Sequence, residues 1–347
     1  MTDSSKSPVS VSIIGGSGYT GAELMRLIAK HPHFRLVQVV ANRNAGKKIE
    51  DIFPHLRHLN LPDFITFEEM NFDGVELIFC ALPHATSQKI IVKIPEAMKV
   101  IDLSADFRLE SIGEYERWYG QKHIAPSLQE KAVYGLTEIY QKKIKKGSLI
   151  ACTGCNSAAT LYPILPLLKE GVITNDNLTI NLGAGVSGAG RDAKQNIIHA
   201  EVSEGVKPYN VGKHRHIAEL EQEFKKASNK KIDITFIPHL LPQNRGVIVS
   251  IPLSLPASLV HKTLEIFYED SPFIIILPIE EVPATQHVRG SNFCHIGVVS
   301  DYNKNRSVVI SVLDNLIKGS AGQAIQNANI MFDFDETSGL LESPIFP

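Results

Sequence analysis

Over the first 150 residues the apolar positions fall into short runs separated by glycines and polar turns. Residues 9–15 (VSVSIIG) form a β-branched run that ends in glycine. Residues 19–31 place Leu24, Leu27 and Ile28 at helical spacing, and residues 34–41 (FRLVQVVA) return to a strand pattern. Further short buried strands are expected at 77–81, 100–103 and 149–151, with a helical pattern at 87–94. Strand, helix and strand in close succession predict a parallel sheet with helices on both faces. The second half differs. A helix is expected over 156–169, followed by longer strand-like runs at 178–182, 234–237, 247–252, 273–277 and 308–313 with fewer helices between them. That pattern predicts an α+β unit with a mostly antiparallel sheet, and a last helix over 320–331. The fold class is therefore α/β: an N-terminal Rossmann domain joined to an α+β catalytic domain.

The link between the first strand and first helix carries chemistry. Gly15, Gly18 and Gly21 are spaced G-x-x-G-x-x-G, with Ser17, Tyr19 and Thr20 between them. Glycines at such a turn let the backbone approach a pyrophosphate, which then sits at the helix N-terminus. These six residues are the candidate dinucleotide contacts; the plain alternative is a glycine-rich turn. The second strand ends in Ala41-Asn42-Arg43, with Lys47 and Lys48 following, where an NAD site usually carries an acid. A cation there suits the 2′-phosphate of NADP(H), with Arg43 as its contact, unless Arg43 is merely solvated.

Composition narrows the class. The 347 residues are 44% hydrophobic and 21% charged, with a net charge of −2. That is ordinary for a globular protein of two domains and lacks the basic footprint of a nucleic-acid or membrane-surface partner. No apolar run reaches the roughly 18 residues of a membrane span. The polar start MTDSSKSPVS lacks the apolar core of a signal peptide, so a cytoplasmic protein is expected. Four cysteines, at 80, 152, 155 and 294, are too few for a disulfide scaffold. Cys155 lies between a short strand and a helical run, near a helix N-terminus that favours the thiolate, and is the candidate nucleophile. The alternative is a buried structural cysteine. Cys152 and Cys155 make one C-x-x-C; without a second pair of ligands no metal is expected.

Of thirteen histidines, the group Lys213-His214-Arg215-His216 stands out because it directly precedes the helical run IAELEQEF. A histidine at a helix start has a lowered pKa, which suits a base acting on a thiol, and His214 is the candidate. Arg108, in SADFR, and Arg191, after the glycine-rich stretch with Ser187 and Gly188, are candidate anion contacts. A structural salt bridge is the other reading of each arginine.

Taken together, these segments resemble the N-acetyl-gamma-glutamyl-phosphate reductase family. The resemblance runs over nearly the whole chain. It includes GGSGYTGAEL (15–24), ALPHATSQ (81–88), VIDLSADFRL (100–109), VYGLTE (133–138), GVSGAGR (185–191), HRH (214–216) with Glu219 and Glu221, PHLLPQNRG (238–246), VRGSNFC (288–294), DNLIKGSAGQAIQN (314–327) and FDETSGL (334–340). It implies a fold like that of aspartate-semialdehyde dehydrogenase. Residues 1–152 are then the NADP-binding domain, completed by 314–347, and 153–313 the catalytic and oligomerising domain. It also implies that Cys155 is the nucleophile, His214 the acid/base that takes the thiol proton, and that Asn315 lies near the nicotinamide. The implied reaction is NADPH-dependent reduction of an acyl phosphate through a Cys155 thioester, releasing inorganic phosphate, in a homo-oligomer (dimer or tetramer). Two departures bear on the substrate. The family usually reads Pro-Gly-Cys-Tyr-Pro-Thr where this chain has Thr-Gly-Cys-Asn-Ser-Ala, and Gly183-Ala184-Gly185 replaces a stretch with lysine. A Gly-Cys-Asn version is similar to relatives that reduce a carrier-bound aminoadipyl phosphate in lysine synthesis. The remaining alternative is a non-catalytic NADP-sensing protein.

Overall fold

The computed structural model describes residues 7–173 and 177–347. Residues 1–6, part of the polar start, lie outside the described residues. The chain forms two compact units. One comprises Met1–Thr153 with Ser320–Leu341, the other Gly154–Gly319 with Glu342–Pro347.

The first unit is built on seven parallel strands: β1 (Val9–Ile14), β2 (Phe34–Val40), β3 (Phe64–Ile65), β4 (Leu77–Cys80), β5 (Lys99–Asp102), β6 (Val133–Gly135) and β7 (Leu149–Cys152). Their order is β3-β2-β1-β4-β5-β7-β6. The order reverses at β1, flanked by β2 on one side and β4 on the other, and such a switch point opens a crevice at the strands' carboxyl ends. The registers align those ends: Ile14 faces Val40 and Cys80, and Cys80 faces Asp102. β1, β4 and β7 are buried throughout, so they read as continuous apolar runs rather than alternating ones. The helix Gly322–Met331 is buried over its whole length and belongs to this unit. It ties to the sheet's edge through Asn327, whose amide donates to the Gly135 carbonyl and accepts from Thr137 Oγ1.

The second unit has seven strands of its own: β8 (Asn177–Gly185), β9 (Lys207–Pro208), β10 (Asp233–Leu241), β11 (Val247–Leu253), β12 (Ile274–Ile276), β13 (Cys294–Ser300) and β14 (Ser307–Leu313), in the order β12-β13-β14-β11-β8-β10-β9. β10 runs parallel to β8 and β12 to β13; the other four pairings are antiparallel. The helix Cys155–Lys169 packs against β8, β11 and β14 and against the helices His216–Ser228 and Ala257–Phe267. Thirteen of its fifteen residues are buried, the signature of a helix enclosed on all sides. This buried helix fixes Cys155, its first residue, at the edge of the core.

The segment expected to complete the first domain is divided. Asp314 and Asn315 bond to Gly290, Arg245 and Gly246 and stay with the second unit. The tail returns to that unit as well, where the Ile345 amide donates to the Arg289 carbonyl.

Candidate active site

In the first unit the glycine turn follows β1. Gly15 has φ +88°, a left-handed conformation that glycine adopts without cost, and a Cβ there would meet the Ala81 carbonyl oxygen at 2.6 Å. Gly18 caps the helix Tyr19–Ile28 with no atom within 4 Å of a Cβ position, which leaves the helix N-terminus open to an anion. Gly21 lies in the first helical turn against the Gly16 backbone. Thr20 Oγ1 is 3.2 Å from Ser320 Oγ, and Tyr19 and Ser17 flank the opening. Arg43, in a short turn after β2, is exposed and makes no ion pair among the described residues. The turn's geometry fits a dinucleotide phosphate at the helix N-terminus.

Arg108 sits elsewhere in its chemistry. It is buried, and its guanidinium donates to the carbonyls of Cys152 (2.7 Å) and Leu103 (3.0 Å). It ties the ends of β5 and β7 together.

In the second unit Cys155 is half-buried and opens its helix, with Gly154 as the cap. The thiol lies 3.5 Å from Asn156 Oδ1, and Asn156 Nδ2 donates to the Tyr209 hydroxyl at 3.3 Å. Burial pushes the Tyr209 phenol up to about 12, against the Asn156 bond, with the charge of Cys155 adding to it. On the other side, Glu219, fully buried, accepts from the Gly154 amide at 3.4 Å and lies 3.7 Å from His216 Nε2. Behind Cys155 runs the π-helical turn Ile317–Ala321. A Cβ on Gly319 would lie 2.6 Å from Cys155 Cβ, so only glycine fits there. Asp314 holds this turn by accepting from the amides of Leu316 and Gly290, with the Gly319 amide on its carbonyl.

The His214 ring meets the Tyr209 ring edge-on at 5.5 Å and lies tilted against the His216 ring at 4.7 Å. Burial pulls its pKa down to about 3; His216 and Arg215 add to this and Glu219 opposes it. Its Nδ1 accepts from the His216 amide at 3.2 Å. A neutral imidazole so engaged carries its hydrogen on Nε2. The resting His214 therefore presents an N–H at Nε2.

Ser187 and Gly188 lie in the turn Val186–Ala189 after β8. Asn315 is buried and spans two loops: its amide donates to Ser187 Oγ at 2.9 Å and accepts from the Gly246 amide at 2.8 Å. Arg191 is exposed. The structure thus gathers Cys155 and His214 into one cluster, and Ser187, Gly188 and Asn315 into an adjoining loop. Tyr209, Asp314 and Gly319 were not singled out from the sequence; their signal was adjacency to His214 and to Asn315.

Two family models match: the semialdehyde dehydrogenase NAD binding domain over residues 10–147, and the semialdehyde dehydrogenase dimerisation domain over 155–315. N-acetyl-gamma-glutamyl-phosphate reductases of Rhodobacter capsulatus and Roseobacter denitrificans are each 50% identical, covering 97% of this chain and 99% of theirs. The chain belongs to the N-acetyl-gamma-glutamyl-phosphate reductase family. Its fold is shared with aspartate semialdehyde dehydrogenase II of Vibrio cholerae complexed with ASA (TM-score 0.72, 16% identity, 94% and 99% of the chains covered). It is shared likewise with aspartate semialdehyde dehydrogenase with NADP from Candida albicans (TM-score 0.68, 19% identity, 94% and 99% covered). In this member of the reductase family the helix-opening cysteine is followed by an asparagine that touches both the thiol and a half-buried phenol. Among the described residues no helix is long and apolar enough to cross a membrane.

Proposed function

We propose that this chain reduces N-acetyl-gamma-glutamyl phosphate to N-acetylglutamate 5-semialdehyde with NADPH, releasing phosphate, in arginine biosynthesis. The carrying observation is a half-buried cysteine at the N-terminus of an enclosed helix, next to a neutral buried histidine, in a chain half identical to named reductases. The helix terminus favours the thiolate of Cys155, which attacks the acyl carbon; the C–O bond to phosphate breaks and a thioester forms. The first backbone N–H groups of the helix stabilise the oxyanion, and the Nε2–H of His214 hydrogen-bonds to the developing oxygen charge without transferring its proton. NADPH, when bound at the glycine turn, supplies hydride. Ser187, Gly188 and Arg191 hold the substrate's polar end, and Asn315 positions their loop. The reading carries a cytoplasmic location and a homodimer or tetramer, in keeping with the dimerisation-domain match.

The test is phosphate-dependent NADP reduction with the semialdehydes of N-acetylglutamate, aminoadipate and aspartate in parallel. The reading predicts turnover chiefly with the first. Preference for aminoadipate semialdehyde would move the assignment to lysine synthesis, which the Gly154-Cys155-Asn156 sequence would then explain. Arg43→Asp should weaken NADPH much more than NADH, because a carboxylate repels the 2′-phosphate and accepts from a ribose hydroxyl. Titration with both cofactors checks it, and unchanged preference would remove Arg43 from the site.

A further inference from the structure

Asn156 is a polar side chain placed between the reactive thiol and the half-buried Tyr209 hydroxyl. It is 3% exposed; its backbone carbonyl accepts from Thr160 Oγ1 at 2.9 Å, while its side-chain amide bonds to the thiol and the phenol. As found, the Cys155 S–H donates to Oδ1 and Nδ2 donates to Tyr209. This arrangement serves a thiol. A thiolate has no hydrogen to give and needs a donor instead.

We propose that Asn156 is a positioning residue that serves both ionisation states of Cys155 by a half-turn of its amide, with the Tyr209 hydroxyl rotating in step. In the thiol state Cys155 donates to Oδ1, and Tyr209 accepts from Nδ2. When Cys155 ionises, its proton passes to bulk water at the half-buried sulfur. The amide then turns: Nδ2–H donates to the thiolate, and the Tyr209 O–H donates to Oδ1. Oxygen and nitrogen exchange places without moving the heavy-atom positions, and no proton travels through the amide. A phenol suits the far end because it donates or accepts by rotation of one hydrogen. Burial of Tyr209 keeps it protonated, so it remains available as that donor. The other titratable groups on the elements around Cys155 are His214, His216 and Glu219 on one side and Asp314 and Lys318 on the other. None of them can alternate between donor and acceptor at neutral pH without changing charge, except the two histidines, and His214 is fixed by its Nδ1 bond.

This rests on Cys155 being the nucleophile of the proposed reaction, and the experiment separates the two claims. The rate of Cys155 alkylation by iodoacetamide is measured against pH for wild type, Asn156→Leu and Asn156→Asp. Leucine removes the donor to the thiolate, and aspartate sets a like charge and an acceptor against it. The midpoint should rise in the order wild type, Leu, Asp, with Asp at least about one pH unit above wild type, a tenfold loss of thiolate at fixed pH. Coincident profiles, or a downward shift in Asp, overturn the proposal. A measurement on the intact wild type guards against misfolded variants. The infrared S–H stretch of Cys155, assigned by its loss in Cys155→Ser, should lie below that of an unbonded thiol; a free-thiol frequency overturns the proposal as well. If Cys155→Ser keeps its turnover, the reaction assignment fails whatever the alkylation shows.

Discussion

At the scale of single residues, His214 holds the least expected chemistry. Its position before the helix His216–Ser228 suggested a base, yet the base it could be is weak. A group pulled down to about 3 has almost no affinity for a thiol's proton, which leaves at about 8.5 in water. The same neutrality makes it a constant donor: the Nε2 hydrogen is present at every pH above the folded value. His214→Asn should lower turnover by about 100-fold, the order of loss for removing one oxyanion donor, while the alkylation midpoint of Cys155 moves little. His216→Asn is the control, since it flanks the same helix start. The wild-type pH–rate profile should show no bend near the ordinary histidine value of about 6.5. A bend there that vanishes in His214→Asn would restore the base role. Arg108 makes the companion point. A cation in SADFR reads as an anion site, and the fold adds bonds from it to the carbonyls of Cys152 and Leu103 that the sequence does not show.

At the scale of elements, the π-helical turn Ile317–Ala321 is what presses the chain against Cys155. Gly319→Ala places a methyl group 2.6 Å from Cys155 Cβ, far inside van der Waals contact. Either the turn or the start of the nucleophile helix must shift, at a cost of about 1–3 kcal/mol for overpacking. The expected result is a modest drop in melting temperature with a large drop in kcat and NADPH affinity unchanged. Unaltered kcat in a folded variant would show that the turn yields rather than the cysteine. The sequence carried most of this level well. Five of the seven parallel strands of the first unit were readable as apolar runs, whereas β3 and β6, of two and three residues, are too short to leave a pattern. The helix Cys155–Lys169 was readable despite Pro163 and Pro166 because apolar residues surround it. Other elements were hidden for physical reasons. β8 was expected to stop at 182, before Gly183-Ala184-Gly185. It continues through them because the Leu241 side chain and Asn244 backbone lie where side chains would be. β13 was not anticipated at all: Gly297 interrupts its pattern to admit the Glu281 carbonyl. The Asn156–Tyr209 contact, 53 residues apart, leaves no local trace.

At the scale of the whole molecule, buried neutral histidines make stability depend on pH. His31 is buried, stacks on Phe34 at 4.1 Å and holds a fixed tautomer: Nε2 faces Asn329 Oδ1 at 3.0 Å, and Nδ1 accepts from the His33 amide at 3.1 Å. Adding a proton would set a second hydrogen against that amide. Burial, offset in part by the Asn329 bond, pulls its pKa down to about 4. Between that value and about 6.5 the unfolded chain binds a proton that the folded chain does not, so stability rises with pH across this window. The term is complete above about 6.5, is lost progressively as pH falls, and stops changing below about 4; its full size is at most about 3 kcal/mol. His214 adds a term of the same sign that extends to about 3. Asp102 acts the other way. Burial raises its carboxyl to about 6 despite bonds from Ser104 and Ser87, so the folded chain binds the extra proton and its term favours the acid side. The net slope therefore needs a variant to separate the parts. His31→Gln removes the titration and keeps an amide donor for Asn329. Its urea midpoint at pH about 8 should fall below that of wild type through lost stacking on Phe34, while the drop from pH about 8 to about 5 should be clearly smaller than in wild type. Equal drops in the two proteins would show that His31 does not titrate between the folded and unfolded chains, and that the acid sensitivity of this enzyme resides in its active-site histidine instead.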